Sequence, residues 1–221
     1  MQLNLTAVEA RILGALVEKE FTTPETYPLS MNGLLAACNQ KSNRNPVMQL
    51  SEEEVARGLA SLQYDKQLVA TYSGVGSRVV KYTHRLVETL GVDSPEMSIL
   101  CELLLRGPQT PGEMRGRASR MATFHSPAEV KEVLDDLATR NLPYVVELPR
   151  APGRKECRFA HSFGDTPLDE LALQERAAPS RAVPVISPAV ESALRDEKRI
   201  QLLEERLDQL EAQVAALEAR R

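Results

Sequence analysis

The chain has 221 residues, 43% of them hydrophobic, no Trp, and a formal net charge of −4 with a pI near 5.6. That is enough chain for two small cores built on Leu, Val, Ile and Ala. It is too acidic for a surface wholly dedicated to nucleic acid, so any DNA contact must use local basic patches. No run approaches the roughly 20 apolar residues that span a bilayer, and the start, Met1-Gln2-Leu3-Asn4-Leu5, lacks the pattern of a signal peptide. Cys38, Cys101 and Cys157 lie far apart and suit free thiols in a reducing compartment. The expected location is cytoplasmic, without a membrane partner.

The first predicted helix opens at Thr6, where Glu9 completes a capping box, and Val8, Ile12, Leu13, Leu16 and Val17 form its apolar stripe. Thr22 to Pro28 holds two prolines and three threonines and is expected to be irregular. A second helix starts at Ser30 and carries Met31, Leu34 and Leu35. The polar stretch Cys38 to Gln49 follows, with Pro46 barring its continuation as helix. Ser51 and Glu54 cap a third helix that buries Val55, Leu59 and Leu62. The runs 68–72 and 78–82 flank Gly74-Val75-Gly76 and predict a β-hairpin, or wing.

The same order then returns. Ser94, with Pro95 after it, is the expected N-cap of a fourth helix that Gly107-Pro108 ends, and Thr110-Pro111-Gly112-Glu113 caps a fifth. Ser126-Pro127 opens a sixth, stopped by Asn141 and Pro143, and the runs 144–148 and 156–160 form a second hairpin with its tip at 149–155. The two halves share wording as well as order. Ser51-Glu52-Glu53-Glu54-Val55 with Leu59 and Leu62 recurs as Ser126-Pro127-Ala128-Glu129-Val130 with Leu134 and Leu137, and Lys81-Tyr82-Thr83-His84 recurs as Arg158-Phe159-Ala160-His161. A three-helix-plus-hairpin unit used twice predicts a mainly α protein with small β-hairpins (α+β): two tandem winged-helix domains, 1–90 and 91–163. A Pro/Ala-rich linker, 164–190, leads to an amphipathic segment, 191–221.

In that last segment Ile200, Leu203, Leu207, Leu210, Val214 and Leu217 alternate by three and four, an a/d seam. Arg199, Arg206 and Gln213 face Glu204, Glu211 and Glu218 as g-to-e′ pairs, which favours self-association as a parallel two-stranded coil. A lone amphipathic helix folded back on the body is the other reading of the same pattern.

Nothing in the chain carries an enzyme's signature. No CxxC, HExxH or phosphate-cradling loop occurs, and the glycines at 74 and 76 suit a hairpin turn. Neither a cofactor nor a metal is expected. His84 and His161 stand at matching repeat positions, so a shared structural role explains both. Cys38 beside Lys41 reads as a packed small residue rather than a reactive thiol.

For nucleic acid, the third helix of each unit is the element expected in a major groove. Here their outward faces read Glu53, Arg57, Ala60, Tyr64 and Ala128, Glu132, Asp135, Thr139, with Glu52-Glu53-Glu54 in one first turn. Acidic groups repel phosphates, so groove insertion by these helices is disfavoured. Positive charge gathers at Arg115, Arg117 and Arg120 and at the second wing tip, Arg150, Arg154 and Lys155, where a minor groove or backbone could be engaged. Solvated surface charge is the competing account of the wing. It is the favoured one for Lys41 and Arg44, although their stretch, 39–45, is rich in donors that could reach phosphates.

Several long motifs resemble the YceH-like family of bacterial proteins: 18–24, Tyr27-Pro28-Leu29-Ser30, Ala37 to Val47, Leu104 to Glu113, and Leu148 to Glu156. The resemblance covers roughly residues 4 to 163. It implies tandem winged helices in a bacterial cytosol, and it brings no activity and no catalytic or ligand residue. Two functions are therefore expected: a non-enzymatic regulator of transcription that binds double-stranded DNA through basic wing and loop residues, or an adaptor for a protein partner, like the kleisin-associated subunits of chromosome-organising complexes.

Overall fold

The computed structural model describes residues 3–72, 79–150, 152–164, 170 and 173. The tip of the first hairpin, most of the linker, and the seam residues Ile200, Leu203, Leu207, Leu210, Val214 and Leu217 lie outside the described residues.

Helix α1 (Ala7–Thr22) begins at the Thr6/Glu9 capping box that its sequence dictates. Residues 9–18 are all buried, Glu9, Arg11 and Glu18 included, so α1 is a central helix rather than a surface one. After a short 3₁₀ turn, β1 (Leu29–Ser30) leads into α2 (Met31–Cys38), capped by Ser30. Helix α3 (Glu52–Ala60) has the expected Ser51/Glu54 box and continues as a π turn over Ser61–Asp65. The hairpin strands are β2 (Val69–Tyr72) and β3 (Lys81–His84), and α4 (Leu86–Leu90) closes the first unit. Strand β3 lies three residues beyond the start of the predicted run, because Leu29–Ser30 pairs with Lys81–Tyr82 and makes a three-stranded sheet in the order β1-β3-β2.

The second unit consists of α5 (Ser94–Arg106), α6 (Pro111–Ala118), α7 (Pro127–Thr139), β4 (Val145–Leu148) and β5 (Arg158–His161). Helix α5 starts one residue earlier than its sequence suggested. Asp93, not Ser94, is the N-cap, accepting from the Glu96 amide while Glu96 reaches back to Asp93, and Pro95 falls in the first turn. Gly107 ends α5 at φ +71°, a conformation that glycine adopts without strain. The two hairpins share one register: Val69 pairs with His84 at the base of the first, and Val145 with His161 at the base of the second. The described fold is thus mainly helical, seven α-helices with two small antiparallel sheets.

The units meet through their leading helices. Helix α1 packs along α5, and the apolar residues of both join one cluster that includes Ile12, Leu13, Leu16, Ile99, Leu100 and Leu103. Gly14 sets the approach: a Cβ there would lie 2.8 Å from Leu105 Cδ2 and 3.2 Å from Leu104 Cβ, closer than packed atoms tolerate. The Cys101 thiol donates to the Gly14 carbonyl across the same contact, at 3.4 Å. No helix among the described residues is long and apolar enough to cross a membrane.

Because the α1–α5 spacing has no room for a side chain at Gly14, Gly14→Val should lower the unfolding free energy by about 3 kcal/mol. Gly116→Ala, with open space around the added methyl, should raise it by roughly 0.5 kcal/mol through helix propensity. Urea denaturation of both variants checks the pair.

Candidate nucleic-acid interface

The eight cationic side chains singled out from the sequence divide by what surrounds them. Arg44 is inside the protein, 5% exposed. Its guanidinium donates to Glu18 Oε2 at 2.6 Å, to the Ala37 carbonyl at 2.9 and 3.1 Å, and to the Asn43 carbonyl at 2.9 Å. It is therefore neither a solvated surface charge nor a group that can reach a phosphate: the loop between α2 and α3 folds it inward to meet α1. Lys41, in the same loop, is exposed.

Two of the three α6-region arginines also turn inward. Arg117 donates to Gln109 Oε1 at 2.6 Å and lies 3.6 Å from Glu113. Arg120 reaches Glu18 Oε1 at 3.2 Å with half its side chain still exposed. Arg115 points outward and, among the described residues, donates to the Phe124 carbonyl alone, at 3.3 Å. Arg158, at the start of β5, makes two bonds to Glu113 and ties the second hairpin to α6. At the hairpin tip Arg150 and Lys155 are exposed and Arg154 half-buried, and none makes a hydrogen bond or ion pair among the described residues.

The charges that sequence reasoning missed are those inside. Glu18 takes Arg44 on one oxygen and Arg120 on the other, one cation from each unit. Burial pushes its carboxyl up, but the Arg44 hydrogen bond and the charges of Arg44, Lys19 and Arg120 outweigh burial and hold it below its ordinary value. Glu102 on α5 is buried with Arg106 at 3.2 Å. There burial dominates, and the carboxyl stays above its ordinary value. Arg106 donates to Asn43 Oδ1, and Asn45 bonds the Leu105 and Arg106 carbonyls, so the Arg44 loop is fastened to the end of α5. The signal for this network was in α1 itself, where Arg11 and Glu18 stand among the apolar and small residues of 10–18.

The outward faces of the third helices are as the helical phase requires: Glu53, Arg57, Ala60 and Tyr64 on α3 and its extension, and Ala128, Glu132, Asp135 and Thr139 on α7, are all exposed. The matched histidines share their pairing with Val but not their partners. His84 Nε2 lies 2.6 Å from Glu20 Oε2 and its Nδ1 accepts from the Leu86 amide, whereas His161 stacks on Phe163. Cys38 is fully buried, and burial pushes its thiol up to about 12, outweighing the nearby Arg11 and Arg44 charges. No metal-ligating cluster occurs among the described residues.

These features define a mainly helical body whose two helix-and-hairpin segments are tied by a buried ionic seam. Residues 5–154 match the family model described as "Protein of unknown function, DUF480". The chain is 49% identical over 217 residues to a UPF0502 protein of Shewanella amazonensis, covering 96% of this chain and 97% of the relative. It is 48% identical over 216 residues to the UPF0502 protein YceH of Salmonella paratyphi C, covering 95% and 97%. A UPF0502 protein of Geotalea daltonii is 52% identical over 182 residues, 82% of each chain. The chain belongs to the UPF0502 (DUF480) family of bacterial proteins.

Removing one member of a buried pair leaves the other charge stranded. Glu18→Ala should cost about 3–5 kcal/mol, whereas Arg120→Ala, at a half-exposed position, should cost less than about 1 kcal/mol. The Glu18 contribution is present above the ordinary carboxylate range and is lost as pH falls through its depressed value. Glu102 has the opposite sign. Glu102→Gln should be more stable than the parent at pH 7, an advantage that fades as pH falls to the ordinary carboxyl value. Denaturation curves from pH 3 to 8 check both signs.

Proposed function

We propose that the two units are tandem winged helices, and that the protein is a non-enzymatic DNA-binding regulator that engages duplex DNA with its second hairpin rather than with its third helices. The observation that carries this reading is the state of the basic side chains. Arg44, Arg117 and Arg120 are engaged within the fold, while Arg150, Arg154 and Lys155 are clustered at one hairpin tip without internal partners. Arg115 and Lys41 add outward charge elsewhere. A basic hairpin tip suits phosphate or minor-groove contact. The acidic, outward faces of α3 and α7 would repel a phosphate backbone.

A second reading is favoured by those same faces. Glu53, Arg57 and Tyr64 on one helix, with Tyr64 73% exposed, and Glu132 with Asp135 on the other, make surfaces suited to a basic protein partner. In that reading the protein is an adaptor that does not bind DNA. Self-association through the heptad residues Ile200 to Leu217 would serve either role by presenting two copies of the surface.

Fluorescence anisotropy with a mixed-sequence duplex between about 50 and 200 mM salt distinguishes them. The DNA reading expects affinity that falls steeply with salt, and a slope about two units shallower for Arg154→Glu with Lys155→Glu. Absence of binding at the lowest salt would reject it in favour of the adaptor.

A further inference from the structure

A cavity of about 290 Å³ opens where the start of α1, the Asn45–Met48 loop, the end of α5 and the end of β5 converge. Its walls are largely apolar, with Leu5, Ala7, Met48 and Leu104 among them, and two basic side chains, Arg11 and His161, complete the lining. The size is at the lower end of small-molecule sites.

Arg11 is what makes the cavity unusual. It is 2% exposed, and its guanidinium donates to two backbone carbonyls, of Cys38 at 3.1 Å and Pro46 at 2.6 Å. Its Nε has no hydrogen-bond partner, and no carboxylate lies within ion-pairing distance among the described residues. Glu18, seven positions along the same helix, already holds Arg44 and Arg120. Glu9, at the head of α1, accepts from the Thr6 amide and faces Lys66 at 3.5 Å. A buried cation without a counter-charge is costly, and such groups are normally paired.

His161 stands on the opposite unit with its Nδ1 also unpartnered. Burial pulls its pKa down to about 4, so near neutral pH the ring is uncharged and offers one N–H donor and one acceptor. Arg11 is thus the only unmatched formal charge among the described lining residues.

We propose that this cavity is a binding site for a small apolar monocarboxylate, its hydrocarbon body against the Leu5, Met48 and Leu104 walls and its carboxylate toward Arg11 and His161. The ligand supplies the negative charge that the fold withholds from Arg11. Because Arg11 also holds the Cys38 and Pro46 carbonyls, and the cavity touches both units, occupancy strengthens the joint between them. The assignment does not depend on whether the second hairpin binds DNA.

The test is isothermal titration of the full chain with octanoate and 2-naphthoate, each against its neutral amide. The carboxylates should bind about tenfold or more tightly than octanamide and 2-naphthamide, since charge-assisted hydrogen bonds are the stronger kind. Ala7→Trp, at an exposed position lining the cavity, should abolish binding while leaving the buried network intact. Arg11→Met should erase the preference for the acid. Equal affinity for acid and amide, no saturable heat from either acid up to about 5 mM, or unchanged binding by Ala7→Trp would each overturn the proposal. The first two readings and the Ala7→Trp result hold even if Arg11→Met does not fold.

Discussion

Glu18 receives one guanidinium from each half of the protein, Arg44 at 2.6 Å and Arg120 at 3.2 Å, from the middle of a helix with no exposed face over ten residues. The rest of the described structure depends on that arrangement. A buried carboxylate stays charged only when partners repay its lost hydration, and here the partners are brought by the α2–α3 loop and by Arg120, two residues past the end of α6. The loop is in turn fastened to the last turn of α5 through Asn43, Asn45 and Arg106. Tight α1–α5 packing at Gly14 and this ionic seam therefore act on the same joint. Neither apolar packing nor pairing alone would specify the relative position of the two units as narrowly.

The seam also decides what the surface can do. Arg44, sealed inside, cannot contact a phosphate, Arg117 and Arg120 are engaged with carboxylates of the fold, and the helices that would ordinarily enter a groove present carboxylates. What is left outward is a basic hairpin tip on the second unit, the separate cations Lys41 and Arg115, and acidic helix faces on both. These are separate surfaces with opposite preferences, which is why a DNA duplex and a basic protein partner are the two natural occupants. The seam leaves one charge unanswered, Arg11, and it does so beside a cavity rather than in a sealed interior. A protein that retained a buried guanidinium for stability alone would be expected to match it as it matches Arg44.

Much of the fold was legible from local chemistry. Thr6/Glu9, Ser51/Glu54 and Thr110/Glu113 are capping boxes because the backbone amides of a first turn need acceptors wherever the helix goes, and all three form. The phase of α3 and α7 was equally readable from Val55/Leu59/Leu62 and Val130/Leu134/Leu137, since burial follows the 3.6-residue period. The misplaced features depend on partners distant in sequence. Strand β1 and the shift of β3 arise from pairing across about fifty residues. The inward turn of Arg44 requires Glu18, which periodicity cannot place beside it. At Asp93 the local rule was sound but two adjacent residues competed for the cap, and the Glu96 side chain selects the one three positions before it. His84 and His161 show the limit of repeat reasoning: the backbone register is shared, and the side-chain surroundings are not.

The seam should make the two helix-and-hairpin segments one cooperative body. Native-state hydrogen exchange under increasing urea measures this directly, because amides that open together merge onto one free-energy line. The slowest amides of α1, α3, α5 and α7 should converge on a single opening with one urea dependence. Separate lines, with the amides of one unit exchanging at low urea while those of the other stay protected, would contradict it.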